Sequence, residues 1–189
     1  MGRTTSLAVV MGAGLPVALA SVIGMAVGVI SLHGVQSPAG GPVPGDSETS
    51  LWEVVYPIAA TNLPACLLLY TGVLTCGAGT LLSTFMLTTY IGATLTAAAA
   101  NVGWLSAIGS IWIYAPLEFT GFALASYGGL LPLATAVTDA EGTGTSVPSW
   151  LRRYGDGMSR SLRFLLLSLL VVTVAAVVEA VVIRSRLGN

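Results

Sequence analysis

Charge is the scarcest property of this chain. Of its 189 residues, 8% are charged and 54% are hydrophobic. A soluble domain carries about 25% charged residues, so this polypeptide could not cover a core with polar surface in water. The mean hydropathy is +0.87, which identifies a membrane protein. Lysine is absent, and every basic residue is an arginine: Arg3, Arg152, Arg153, Arg160, Arg163, Arg184 and Arg186. A net charge of -1 gives no electrostatic footprint for nucleic acid. Histidine occurs once, at His33, so no metal-ligand cluster is readable and no cofactor is expected. Cys66 and Cys76 lie in one apolar region. Ten residues apart on a helix, they would stand about 15 Å from each other, too far for a disulfide. No Gly-x-x-x-x-Gly-Lys-Ser/Thr stretch is present, so ATP-driven work would need a partner subunit.

What the chain has in abundance is apolar sequence. The fold class is an all-α polytopic bundle of about five spans plus a short broken or re-entrant helix, in a single membrane domain. The first span is expected at 7–32. Arg3 and Ala18-Leu19-Ala20 resemble a signal peptide, but the apolar run continues well past Ala20. Gly24 and Gly28 form a small-xxx-small pair suited to close helix contact. Residues 33–53 read as an outer loop, rich in Gly, Pro and Ser and acidic at Asp46, Glu48 and Glu53. From Val54 to Leu117 no residue is charged. At about 20 residues per crossing this stretch holds roughly three membrane segments. Spans are expected at 55–75 and 80–100, with a turn near Cys76-Gly77-Ala78-Gly79. Asn101-Val102-Gly103 makes the next turn. The stretch 104–137 is then one span broken near 115.

Residues 138–163 are hydrophilic and carry four arginines, which places this segment and the N-terminus in the cytoplasm under the positive-inside rule. The part from Ser149 to Arg163 is expected as an interfacial helix with Trp150 and Tyr154 at the headgroups. The last span, 164–183, is one hydrocarbon thickness long, about 30 Å. Five crossings leave Arg184 and Arg186 outside.

Glu118 and Glu179 are the only charges inside these spans. A buried acid costs about 2.5–3.5 kcal/mol on insertion scales and normally faces a bundle interior. Pro116 suits the first turn of a helix, so Glu118 is expected at the mouth of a helix that starts within the membrane. There its carboxylate would meet free backbone N–H groups. Steps of three and four residues from Glu118 reach Gly121, Ala125 and Gly128, a small face able to take a neighbouring helix or an extended chain. Tyr114 stands one turn before Glu118, within hydrogen-bonding reach.

Three regions resemble the stage II sporulation protein M family, over about Thr61 to Ala180. The first is "TNLPACLLLYTGVLTCGAGTLLSTFMLTTYIGATL", similar to the family's Asn-led helix with spaced glycines; Asn62, Gly72, Gly77 and Gly92 occupy the pattern. The second is Ile113 to Gly129. The family has Pro-His-Gly-x-x-Glu there; the glutamate stands at Glu118, while Ile113 and Tyr114 replace the proline and histidine, so no imidazole stands beside it. The third is "LLVVTVAAVVEAVV", similar to the family's last span and ending at Glu179 and Ala180. Members of this family act in sporulation septa, beside ABC-type ATPase subunits, or with genes for modified bacteriocin peptides, and a compact chain resembles the latter two groups.

The resemblance implies a membrane subunit that exports or matures a hydrophobic, bacteriocin-like peptide. The expected partners are the bilayer, other membrane subunits or further copies of the chain, and an ATPase subunit. Substrate contact is expected at Tyr114, Glu118, Gly121, Ala125 and Asn62, and partner docking at Arg152, Arg153 and Arg160. Two other readings of the acids stand beside this one. As an intramembrane hydrolase or head-to-tail ligase, the chain would use Glu118 and Glu179 as catalytic acid and base. As a small ion- or proton-coupled transporter, it would place Glu118 on the path.

Overall fold

A computed structural model describes residues 4–31, 50–138 and 147–187. Most of the outer loop, and the acidic residues Asp139 and Glu141, lie outside the described residues. Six helices follow in order: α1 Thr4–Ser31, α2 Leu51–Tyr70, α3 Ala78–Val102, α4 Trp104–Ile111, α5 Ala115–Thr138 and α6 Val147–Leu187. Among the described residues there is no strand. Five helices are long and apolar enough to cross a membrane, all but α4. Large apolar side chains such as Leu15, Val22, Leu68, Leu82, Leu105 and Leu170 are exposed on the outside of the bundle. In hydrocarbon that exposure carries no penalty, and the helices need other reasons to pack.

Close backbone approach supplies one. Glycines Gly24 and Gly28 of α1 lie against α3, where a Cβ on Gly24 would sit 2.6 Å from the Phe85 carbonyl. From the other side, a Cβ on Gly92 would sit 2.6 Å from the Met25 carbonyl. α5 and α6 meet through Gly121 against Val172, and through Gly128, where an added Cβ would lie 3.1 Å from Phe164 Cβ. The small face that follows Glu118 is thus covered by α6.

The helix boundaries have local causes. Ser50 and Glu53 form a reciprocal cap on α2, with the Glu53 carboxylate accepting from the Ser50 N–H at 2.7 Å. A 3₁₀ turn at Thr71–Val73 ends the second span. The chain then reverses through Cys76 (φ 50°) and Gly77 (φ 89°), both in the left-handed region. Gly103 (φ 82°) separates α3 from α4. α4 has 8 residues, about 12 Å of rise, so it cannot cross. A turn over Trp112 to Tyr114 then starts α5.

Two expectations are corrected here. The segment from Ser149 to Arg163 is not a separate interfacial helix; it continues into the last span as a single 41-residue helix, roughly 60 Å long. Its first half is held by protein: a Cβ on Gly157 would lie 2.6 Å from Pro132 Cα. Tyr154 is buried and donates to the Val73 carbonyl at 2.8 Å, so it locks the α2–α3 turn rather than meeting headgroups. The cysteines do not share a helix. Cys66 is buried on α2 and Cys76 is exposed in the turn; both are free.

α5 is the central element. In its apolar stretch 67% of residues are buried, against 17% in each of α1, α2 and α3. Cys66, Leu69, Phe122, Ala125 and Val172 form the main core cluster, joining α2, α5 and α6.

Candidate functional site

Glu118 lies in the first turn of α5, and its N–H donates to the Tyr114 carbonyl at 3.2 Å. Its carboxyl group finds partners on other helices. Asn62 Nδ2, on α2, donates to Glu118 Oε1 at 2.6 Å. The Glu179 carboxyl, on α6, lies beside that of Glu118 at the same cavity. Residues far apart in the chain thus join three helices at one point.

The cluster borders a cavity of about 560 Å³ between α2, α3, α4, α5 and α6. Leu87, Ile91, Leu95, Phe119 and Phe122 give it an apolar wall. Tyr114, Asn62, Glu118 and Glu179 all face it. Tyr90, Thr61, Thr94 and Ser110 also line the cavity, and the last three each direct the hydroxyl to their own helix. Thr61 donates to the Pro57 carbonyl at 3.0 Å, Thr94 to Tyr90 at 2.9 Å, and Ser110 to Ala107 at 2.6 Å. The hydrogen-bonding capacity that faces the space is therefore concentrated at the acids, Asn62 and the tyrosines.

A second cavity of about 600 Å³ lies between α1, α3 and α5. Leu87, Ile91, Phe119 and Phe122 line both spaces, so these four side chains are the partition between them.

Of the residues singled out in the sequence, Tyr114, Glu118, Asn62 and Glu179 come together at the cavity. Gly121 and Ala125 do not line it; both are buried in the core beneath α6. Arg152 and Arg160 are exposed on the first half of α6, and Arg153 is half-buried with Nη2 donating to Ser149 Oγ at 3.3 Å. This arginine group lies at the opposite end of the bundle from the cavity, beside the Thr71–Gly77 turn that Tyr154 contacts. The wall residues Leu87, Ile91, Phe119 and Phe122 carried no sequence signal, because an apolar residue on an apolar helix looks alike whether it faces lipid, core or cavity. Among the described residues no three His, Cys, Asp or Glu side chains gather as a metal site.

A family model described as "Stage II sporulation protein M" matches residues 17–183. No curated protein and no solved structure matches the chain.

Proposed function

The chain belongs to the stage II sporulation protein M family, and from that premise we propose that it is an integral-membrane subunit of a complex that exports or matures a hydrophobic, bacteriocin-like peptide with an ABC-type ATPase partner. One observation carries this reading: a cavity of about 560 Å³ between the helices, open on one side, apolar on its walls and polar at one cluster of Asn62, Glu118 and Glu179. Its volume falls in the range of ligand sites, about 300–1,000 Å³. An apolar wall suits aliphatic side chains, and the polar cluster supplies orientation. The exposed Arg152 and Arg160 at the far end offer the docking surface for the ATPase, on the face assigned to the cytoplasm by the positive-inside rule.

The test uses a photoreactive residue placed at Leu87, on the cavity wall, or at Leu82, exposed on the same helix. In native membranes the precursor peptide is expected to cross-link from position 87 and not from 82. Equal labelling from both positions, or none from 87, defeats the reading. Docking is checked separately: Arg152→Glu with Arg160→Glu should abolish co-purification of ATPase activity while leaving cross-linking intact.

A second reading, a small proton-coupled transporter, draws on the two acids, Glu118 and Glu179, that face one cavity. Proton-driven uptake by liposomes containing the protein should then vanish in Glu118→Gln. Uptake that survives this change removes the reading.

A further inference from the structure

We propose that the second cavity, between α1, α3 and α5, holds one acyl chain of a bilayer phospholipid as a fixed part of the bundle.

The way α1 packs creates the space. At one end α1 touches α5: Ala13 is buried with Leu130 and Ala134, and a Cβ on Gly12 would lie 3.7 Å from Ala134 Cβ. Further along, Gly24 and Gly28 draw α1 against the α3 backbone instead, at Phe85 and Thr89. Between these contacts Val17, Val22 and Ala26 of α1 stand across about 600 Å³ from Phe119 and Ser126 of α5. The space is a wedge, closed where α1 meets α5 and open at the side, where Val22, Ala26, Phe119 and Ala123 are exposed. That rim belongs to the lipid-facing surface of a bundle of five long apolar helices, so its mouth is continuous with the hydrocarbon around the protein.

The lining decides what can fill it. The polar residues there are Ser21, Thr84, Thr88 and Ser126. Ser21 donates to the Val17 carbonyl at 2.8 Å, and Thr88 to the Thr84 carbonyl at 2.8 Å. Thr84 and Ser126 bond each other at 3.1 Å, and both are buried. At most one hydroxyl hydrogen of that pair is left for an occupant. A water molecule needs about two to four polar partners. A peptide backbone brings N–H and C=O groups that each need one. A hydrocarbon chain needs none, and its dispersion contacts supply what an empty space forfeits. Length agrees as well. Val17 to Ala26 covers about 14 Å of helix rise, close to half of a hydrocarbon core of about 30 Å, which is one leaflet and so one acyl chain. The methyl end then lies by Val17, near the Ala13–Leu130 contact, and the glycerol end beyond Ala26. Because Leu87, Ile91, Phe119 and Phe122 separate the two cavities, the lipid chain backs the wall of the space beside Glu118.

The experiment uses the full chain in phosphatidylcholine nanodiscs doped with phosphatidylcholine that carries a diazirine at the end of one acyl chain. After illumination the labelled residues are mapped by mass spectrometry. Lipid that merely surrounds the bundle labels every exposed apolar face alike, Leu170 on α6 included. The expected result is about tenfold more label on residues 17–26 and 119–126 than around Leu170, the ratio given by a preference of about 1.4 kcal/mol over free bilayer lipid. Ala123→Trp puts a ring into the mouth and should remove that excess while the label at Leu170 stays unchanged. Ala26→Phe makes the same test from α1 should the first variant fail to fold. Moving the diazirine next to the glycerol should shift the label from Val17 and Ser126 to Ala26 and Phe119. Even labelling of all exposed faces overturns the proposal, since lipid at the wedge is then ordinary solvent. Excess label that survives the substitution in a folded variant also overturns it, as does a shift of label in the reverse direction. A photoreactive residue at position 22 that cross-links two chains would give the wedge to a second copy and overturn it too.

Discussion

The two ends of this bundle treat polar groups in opposite ways. At the end built around the Thr71–Gly77 turn, polar groups are matched within the protein. Thr80 Oγ1 donates to the Leu69 carbonyl at 2.6 Å and accepts from the Gly72 N–H at 3.1 Å. Tyr70 and Ser161 share a hydroxyl hydrogen bond of 2.6 Å, and Tyr154 fastens α6 to the turn. Backbones touch there as well: a Cβ on Gly129 would lie 2.7 Å from the Leu69 carbonyl. At the other end, α2, α5 and α6 meet at Asn62, Glu118 and Glu179, and the space beside them stays open. One end uses hydrogen bonds to close the packing. The other spends a costly pair of acids at the edge of a cavity, which structural packing alone does not require.

The contrast can be broken by substitution, and the largest effect is expected at the closed end. Gly129→Val places side-chain atoms against backbone and should destabilise by about 3 kcal/mol, the upper range for overpacking; a melting curve in detergent checks it, and an unchanged midpoint would show that the helices separate freely. Thr80→Val leaves the Leu69 carbonyl and the Gly72 N–H without their partner, an expected loss of about 2 kcal/mol. Tyr154→Phe removes one hydrogen bond and should cost about 1 kcal/mol. At the open end Glu118→Gln keeps an amide in place of the acid, so stability should change by less than about 1 kcal/mol, while cross-linking of peptide at position 87 drops at least tenfold. A Glu118→Gln protein as unstable as Gly129→Val would make the acids structural and dissolve the contrast. The mildest perturbation sharpens it: a membrane-impermeant maleimide should label exposed Cys76, spare buried Cys66, and reach Cys76 from the cytoplasmic side only.

Much of the fold was written in the hydropathy. Five apolar stretches appear where spans were expected, the fourth is interrupted before Pro116, and Gly77 and Gly103 mark reversals. The Ser50-x-x-Glu53 cap is also legible as a pattern, at the end of the stretch whose Gly, Pro and Ser content reads as a loop. The continuity of α6 was not legible. Arg152 to Arg163 look like a surface segment because their polarity breaks the apolar run, yet Gly157 and Tyr154 are gripped by α5 and the turn, which keeps the helix going. At the site, each acid was conspicuous singly, since a charge in a span is rare and costly. Their meeting was not. Nor was the fate of Gly121 and Ala125, whose small face fits a helix and a ligand equally well.

The sequence by itself determined the solvent of this protein, the number of its long apolar helices and the two positions where a charge would be buried, because each follows from local composition and the thickness of a bilayer. Only the tertiary structure decided that the two acids share one place with Asn62, and that α6 fills the groove beside Glu118 while α2, α3 and α4 leave a space in front of it. That choice depends on how helices rotate and slide against one another, and in an apolar solvent hydropathy does not distinguish one rotation from the next.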